Sequence, residues 1–240
     1  MKKGFTLAEV LITLGVIGVV AALTLPNLLQ NHQKKVFVTQ LQRTVNLISN
    51  SATALQGDNN AASLADSYLV AVNNDYKNAQ GKFMNTYFKV ARDCGTDNKG
   101  ACLGDTYYSL DRSKSYNLND DLDSDFYCVT INTGATVCMD GMRSDDTDGS
   151  GAIDSHGYSV VVVDVNGPSG PNTNGRDLFE FSLFSSGVLG NLYPDSQAST
   201  FNYYKNITSG KVCLDAKSEA TYFAGKCFQH VMSNGWVMDY

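Results

Sequence analysis

Residues Phe5 to Leu25, FTLAEVLITLGVIGVVAALTL, form a run of 21 predominantly apolar residues. A helix rising about 1.5 Å per residue would carry that run just across a hydrocarbon core of about 30 Å. The competing reading is a cleaved secretory signal, whose apolar region spans about 7–15 residues and ends at small residues. This run is longer and flows into further helical sequence, so it reads as a membrane span. One residue breaks the pattern. Glu9 places a carboxylate near the start of the span, where burial of a charge costs about 2.5–3.5 kcal/mol on insertion scales. Nearby basic groups are Lys2 and Lys3. The residues alone leave two readings open, a carboxylate that awaits a partner and one that snorkels to the interface.

The remainder of the 240-residue chain suffices for one medium-sized head and not for two full domains. Its formal charge of −6 offers no general basic footprint for nucleic acid. All six cysteines fall between Cys94 and Cys227, and no two form a CxxC pair. Disulfides in an oxidising compartment are therefore favoured over zinc. The absence of cysteine from the first ninety residues also excludes a lipoprotein anchor there.

The segment MKKG followed by FTLAEVLITLGVIGVVAALTLP closely resembles the class III signal of type IV pilins and type II secretion pseudopilins. It has basic residues, a Gly, a Phe, a Glu four residues after that Phe, an apolar run and a closing Pro. The resemblance implies cleavage by a prepilin peptidase between Gly4 and Phe5, then N-methylation of Phe5. It also implies that Glu9, the fifth mature residue, neutralises the terminal amine of a neighbouring subunit during assembly. Loss of Lys2 and Lys3 would leave 16 basic against 24 acidic side chains, a charge of −8. The positive leader should remain cytoplasmic while the chain beyond Leu25 is exported.

Beyond Pro26 the helix is expected to resume after a kink or local melting. Phe37, Leu41, Val45, Ile48, Ala52 and Leu55 recur at spacings of three and four, which gives one stripe for a packed sheet. Gly57 and Asp58-Asn59-Asn60 form a stop. A second helical stretch is expected through Phe83, Tyr87 and Val90 before Cys94. Phe126–Met139 reads as a hairpin around Asn132-Thr133-Gly134, in which pairing of Ile131 with Ala135 sets Cys128 opposite Cys138. Tyr158–Val165 is nearly continuous in β-branched residues and Leu178–Phe184 alternates bulky with polar, so both are expected strands. A helix bracketed by Cys213 and Cys227 would carry Ala220, Phe223, Ala224 and Val231 on one face. Sequential pairing, Cys94–Cys102, Cys128–Cys138 and Cys213–Cys227, is the expected set among those six cysteines allow.

Two acidic loops offer calcium ligands. Asp146, Asp148, Ser150 and Asp154 occupy positions one, three, five and nine of a calcium loop with Gly151 at six, but Gly157 stands where a bidentate glutamate would close the site. A Gly-rich acidic hairpin accounts for the same residues. In DVNGPSGPNTNGRD, the oxygen donors are Asp164, Asn166, Asn172 and Asp177. This stretch resembles the C-terminal segment of pseudopilin-like heads, some of which hold calcium in a nearby loop, while Asx turns explain the same residues structurally. No catalytic centre is expected. His32 lies on the stalk, and His156 and His230 lack a nucleophile or metal-pair motif. Trp236 after Asn234-Gly235 reads as a packing aromatic.

The expected molecule is an α+β, pilin-like protein. It comprises a leader (1–4), a transmembrane helix (5–25), an amphipathic helix (26–56) and a periplasmic or extracellular head (57–240), in which the helix packs on a small antiparallel sheet with disulfide-stapled loops. By resemblance it is a filament subunit. Its partners are then prepilin peptidase/methyltransferase, other pilin or pseudopilin subunits, the inner-membrane assembly platform and membrane lipid. The alternative is a non-polymerising, membrane-anchored calcium-binding or adhesive envelope protein.

Overall fold

The computed structural model describes residues 6–69, 76–142, 158–190, 213 and 226–240. Helix α1 runs from Leu7 to Asp58 and contains Pro26. The chain divides into two compact units, Met1–Val36 and Phe37–Tyr240.

In the first unit, α1 exposes Leu7, Leu11, Ile12, Leu14, Val16, Ile17 and Leu23. Its most apolar window has none of its surface buried, and among the described residues α1 is the one helix long and apolar enough to cross a membrane. So complete an apolar exterior is a liability in water and suits lipid or a neighbouring apolar helix.

In the second unit, the expected stripe is buried: Leu41, Ile48, Ala52 and Leu55 are fully enclosed, with Phe37 and Val45 nearly so. Each large side chain buried this way contributes roughly 1.5–3 kcal/mol of transfer free energy. The helix stops at Asp58, with Asn60 in the left-handed region. Helix α2 spans Tyr76–Tyr87, and strand β1 Val90–Gly95. Val90 therefore opens a strand and does not extend the second helix as expected. Its spacing from Phe83 and Tyr87 suits a helix, but Asn132 N donates to Lys89 O at 2.9 Å and Val90 pairs with Ile131.

A small ribbon joins β2 (Tyr107–Tyr108) to β3 (Ser115–Tyr116), followed by the single turn α3 (Leu118–Asp121). The remaining strands are β4 (Tyr127–Ile131), β5 (Thr136–Met139), β6 (Tyr158–Asp164), β7 (Leu178–Phe184) and β8 (Leu189–Gly190). The last helix described, α4, spans Lys226–Ser233. Strands β1, β4, β5, β6, β7 and β8 form one antiparallel sheet in that order. The α+β architecture matches expectation.

Both faces of this sheet carry a core. On one, α1, α2 and α4 cover Val129, Val137, Val161, Phe179 and Phe181, and Phe181 stacks on Phe228 of α4 with centroids 4.3 Å apart. Trp236 meets Phe228 edge-on, as a packing aromatic does. On the other, Tyr107, Leu118, Leu122 and Phe126 pack over Cys128, Cys138, Val160, Val162 and Leu178. Two-sided burial explains why β6 reads as a nearly unbroken β-branched run.

The β4–β5 hairpin has the expected register: Ile131 N donates to Ala135 O at 2.9 Å, and Cys128 faces Cys138. Disulfides join Cys94 to Cys102, Cys128 to Cys138 and Cys213 to Cys227. Cys213 and Cys227 are both buried, while Ala220, Phe223 and Ala224 of the expected bracketed helix lie outside the described residues. The Cys128–Cys138 bond closes a short loop, and replacing both cysteines by Ala is expected to lower the unfolding free energy by about 2–3 kcal/mol. Urea denaturation of the two proteins, followed by tyrosine and tryptophan fluorescence, measures that difference.

Candidate functional site

The first turn of α1 is closed by a side-chain pair that the sequence reading passed over. Thr6 donates to Glu9 Oε2 from its backbone N and from Oγ1, both at 2.8 Å, and Glu9 N donates to Thr6 Oγ1 at 3.3 Å. These are the reciprocal bonds of a capping box, signalled by the spacing Thr-Leu-Ala-Glu at the start of an apolar run. The carboxylate that lacked an obvious partner thus has a local one. Both donors reach the same oxygen, so a second cation or donor can approach the carboxylate without breaking the cap. Gly4 and Phe5 lie outside the described residues.

The second cluster is the loop between β6 and β7. Asp164 and Asp177, at its two ends, are fully buried. Asp164 Oδ2 accepts from Tyr107 Oη at 2.7 Å and Oδ1 from Asn166 N at 3.2 Å. Asp177 Oδ2 accepts from Asn172 N at 2.7 Å and Oδ1 from Thr173 N at 2.6 Å. The Asn166 amide donates to Ser169 O and Gly170 O, and the Asn172 amide to Thr106 O at 3.3 Å. Asn166 Oδ1 and Asn172 Oδ1 are buried acceptors without a donor. Burial, then the charge of Asp177, pushes the Asp164 carboxyl well above the usual carboxylate range. Burial raises Asp177 to about 6, against the opposing pull of the Thr173 and Asn172 N–H groups.

All four proposed donors of this loop are therefore brought into one knot, and the two carboxylates organise its backbone. The knot also ties distant parts of the head together. Tyr108 N donates to Asn172 O and Asn174 N to Tyr108 O. Tyr240 Oη donates to Gly175 O at 2.5 Å. Gly175 has φ +72°, and a Cβ there would lie 2.6 Å from Cys227 Sγ, so only glycine fits against the Cys213–Cys227 bridge.

The other calcium candidate, Asp146, Asp148, Ser150 and Asp154, lies outside the described residues, as does His156. His32 is exposed on α1. His230 Nε2 stands 2.6 Å from Asp239 Oδ1, a bond that holds the Asp239 carboxyl below its usual range and fastens the C-terminal residues to α4. An open cleft of about 330 Å³ lies beside Arg43, Thr44 and Leu47 of α1, Tyr87, Lys89 and the hairpin tip at Asn132 and Thr133. Its two cations suit it to an anionic group.

Residues 1–25 match the family model of the prokaryotic N-terminal methylation motif. That motif is the signature of type IV pilins and pseudopilins. No curated protein and no solved structure matches the chain. The N-terminus is thus pilin-like, of the kind processed by prepilin peptidase, and together with the apolar helix it fits a membrane-anchored protein.

Proposed function

We propose that this chain is a structural subunit of a filament of the type IV pilus or type II secretion pseudopilus kind. Prepilin peptidase cleaves it between Gly4 and Phe5 and methylates the new terminus. Before assembly the subunit is a single-pass protein of the bacterial inner membrane, with its N-terminus cytoplasmic and its head periplasmic; in a filament of the pilus kind the head becomes extracellular.

The observation that supports this reading best is the methylation motif at residues 1–25, carried on a helix whose most apolar window is wholly exposed. Packing such helices side by side exchanges lipid contacts for helix contacts, and a head-to-tail repeat of one contact builds a filament. The partners are other pilin or pseudopilin subunits and the assembly platform of the inner membrane. The disulfides suit a head that matures in an oxidising compartment.

Intact and N-terminal peptide mass spectrometry on protein from the native membrane tests the proposal. A chain that begins at N-methylated Phe5 supports it. A chain that still begins at Met1, in cells with an active prepilin peptidase, overturns it in favour of an uncleaved, membrane-anchored adhesive module.

A further inference from the structure

Strand β7 alternates bulky and polar residues, and such a strand ordinarily turns its polar side to water. Here that side is covered. Glu180 is 2% exposed and Ser182 0%, two residues apart on one strand and so on one face. Neither oxygen of the Glu180 carboxylate has a hydrogen-bond partner, and neither does Ser182 Oγ. Ser182 is in register with Val160, whose N–H donates to Asp140 Oδ1 at 2.8 Å, and Asp140 is 4% exposed. Glu180 sits one row along, opposite Val162, which in turn faces Cys138, two residues before Asp140. One face of three adjacent strands therefore presents two carboxylates and a hydroxyl in a dry setting.

Asp140, the charge that acts on Glu180, is itself acidic. Glu180 in turn acts on Tyr116, whose phenol it helps to keep protonated. Burial, then the Asp140 charge, pushes the Glu180 carboxyl well above its usual range. A buried ionised carboxylate without a partner is among the most destabilising groups a core can hold. Protonation removes the charge but still leaves the carbonyl oxygen without a donor. A cation meets both oxygens at once.

We propose that Glu180, Ser182 and Asp140 form a binding site for a hard divalent cation on the face of the sheet opposite α1. The donors are all oxygen, as such ions require. Calcium fits better than magnesium, because it accepts a bidentate carboxylate and irregular geometry, whereas magnesium demands a near-octahedral, partly hydrated shell. This site differs in its residues from the 146–154 and 164–177 loops, and it concerns the head whether or not the chain assembles.

The test uses the full-length protein in detergent, stripped with EGTA and then titrated with calcium chloride or magnesium chloride by calorimetry and thermal unfolding. Calcium at about a hundredfold excess over its dissociation constant is expected to raise the melting temperature by about 5–10 °C. Glu180→Gln and Glu180→Leu are expected to lose one bound calcium per chain and that rise. In EGTA, Glu180→Leu should melt above the wild type, because it removes a buried carboxyl whose oxygens have no partner. Three results overturn the proposal: no calcium-dependent rise in the wild type, undiminished stoichiometry in both Glu180 variants, or calcium binding that survives Glu180→Gln but disappears in Asp146→Asn/Asp148→Asn or Asp164→Asn.

Discussion

Glu9→Leu is expected to abolish filament assembly while leaving the head folded and the protein in the membrane. The substitution makes the span more apolar, so insertion improves by about 2–3 kcal/mol and cannot be the step that fails. It removes the cap that Thr6 and Glu9 form at the start of α1, which costs about 1 kcal/mol and acts only on the first turn. On the proposed function, what remains is the loss of a carboxylate that would face a neighbour's amine in the filament core. Removing one member of a buried ion pair costs about 3–5 kcal/mol, roughly a hundredfold or more in the equilibrium for adding a subunit. Glu9→Gln separates charge from cap, since its amide oxygen still accepts from Thr6. Electron microscopy and immunoblotting of sheared filaments provide the readout, with circular dichroism and disulfide mapping as the check on the head. Assembly by Glu9→Leu at the wild-type level would remove Glu9 from the mechanism, whereas assembly by Glu9→Gln alone would reduce its role to capping.

Sequence patterns carried those parts of the fold that rest on local periodicity. The stripe from Phe37 to Leu55 is buried as its spacing of three and four requires. The β4–β5 register followed from a turn at Asn132-Thr133-Gly134 and a period of two, and it placed Cys128 against Cys138. The failures come from contacts distant in the chain. Val90 stands at helical spacing from Phe83 and Tyr87, and only pairing with Ile131, about forty residues on, makes it a strand. Tyr107 gave no signal, yet its hydroxyl meets Asp164 across 57 residues of chain. Glu180 is the same lesson in reverse. Alternation marks it as a polar-face residue, and only the second core, assembled from Tyr107, Leu118 and Phe126, shows that this face is dry. Thr6 was legible and missed, because the apolar run drew the reading to hydropathy when the Thr-x-x-Glu spacing already specified a cap.

Acidification is expected to stabilise the head, against the common tendency of proteins to lose stability in acid. Asp177 has a folded-state value of about 6 against an ordinary 3.8, and Asp164 is raised further in the same direction. Between about pH 4 and pH 6 the native state therefore binds more protons than the unfolded chain, so unfolding releases protons and stability falls as pH rises. The contribution is complete below the unfolded value and is lost as pH climbs through the folded one. For Asp177 alone the shift amounts to about 3 kcal/mol. Urea unfolding at pH 4, 5, 6 and 7, on protein stripped with EGTA at neutral pH and exchanged into metal-free buffers, should show a decline of that order. Asp164→Asn should flatten the decline and raise stability at pH 7. It removes a buried carboxyl that the charge of Asp177 disfavours, while the amide oxygen can still accept from Tyr107 Oη or Asn166 N. The opposite slope would mean that the N–H and O–H donors around Asp164 and Asp177 hold both carboxylates ionised in the folded head, against the effect of burial.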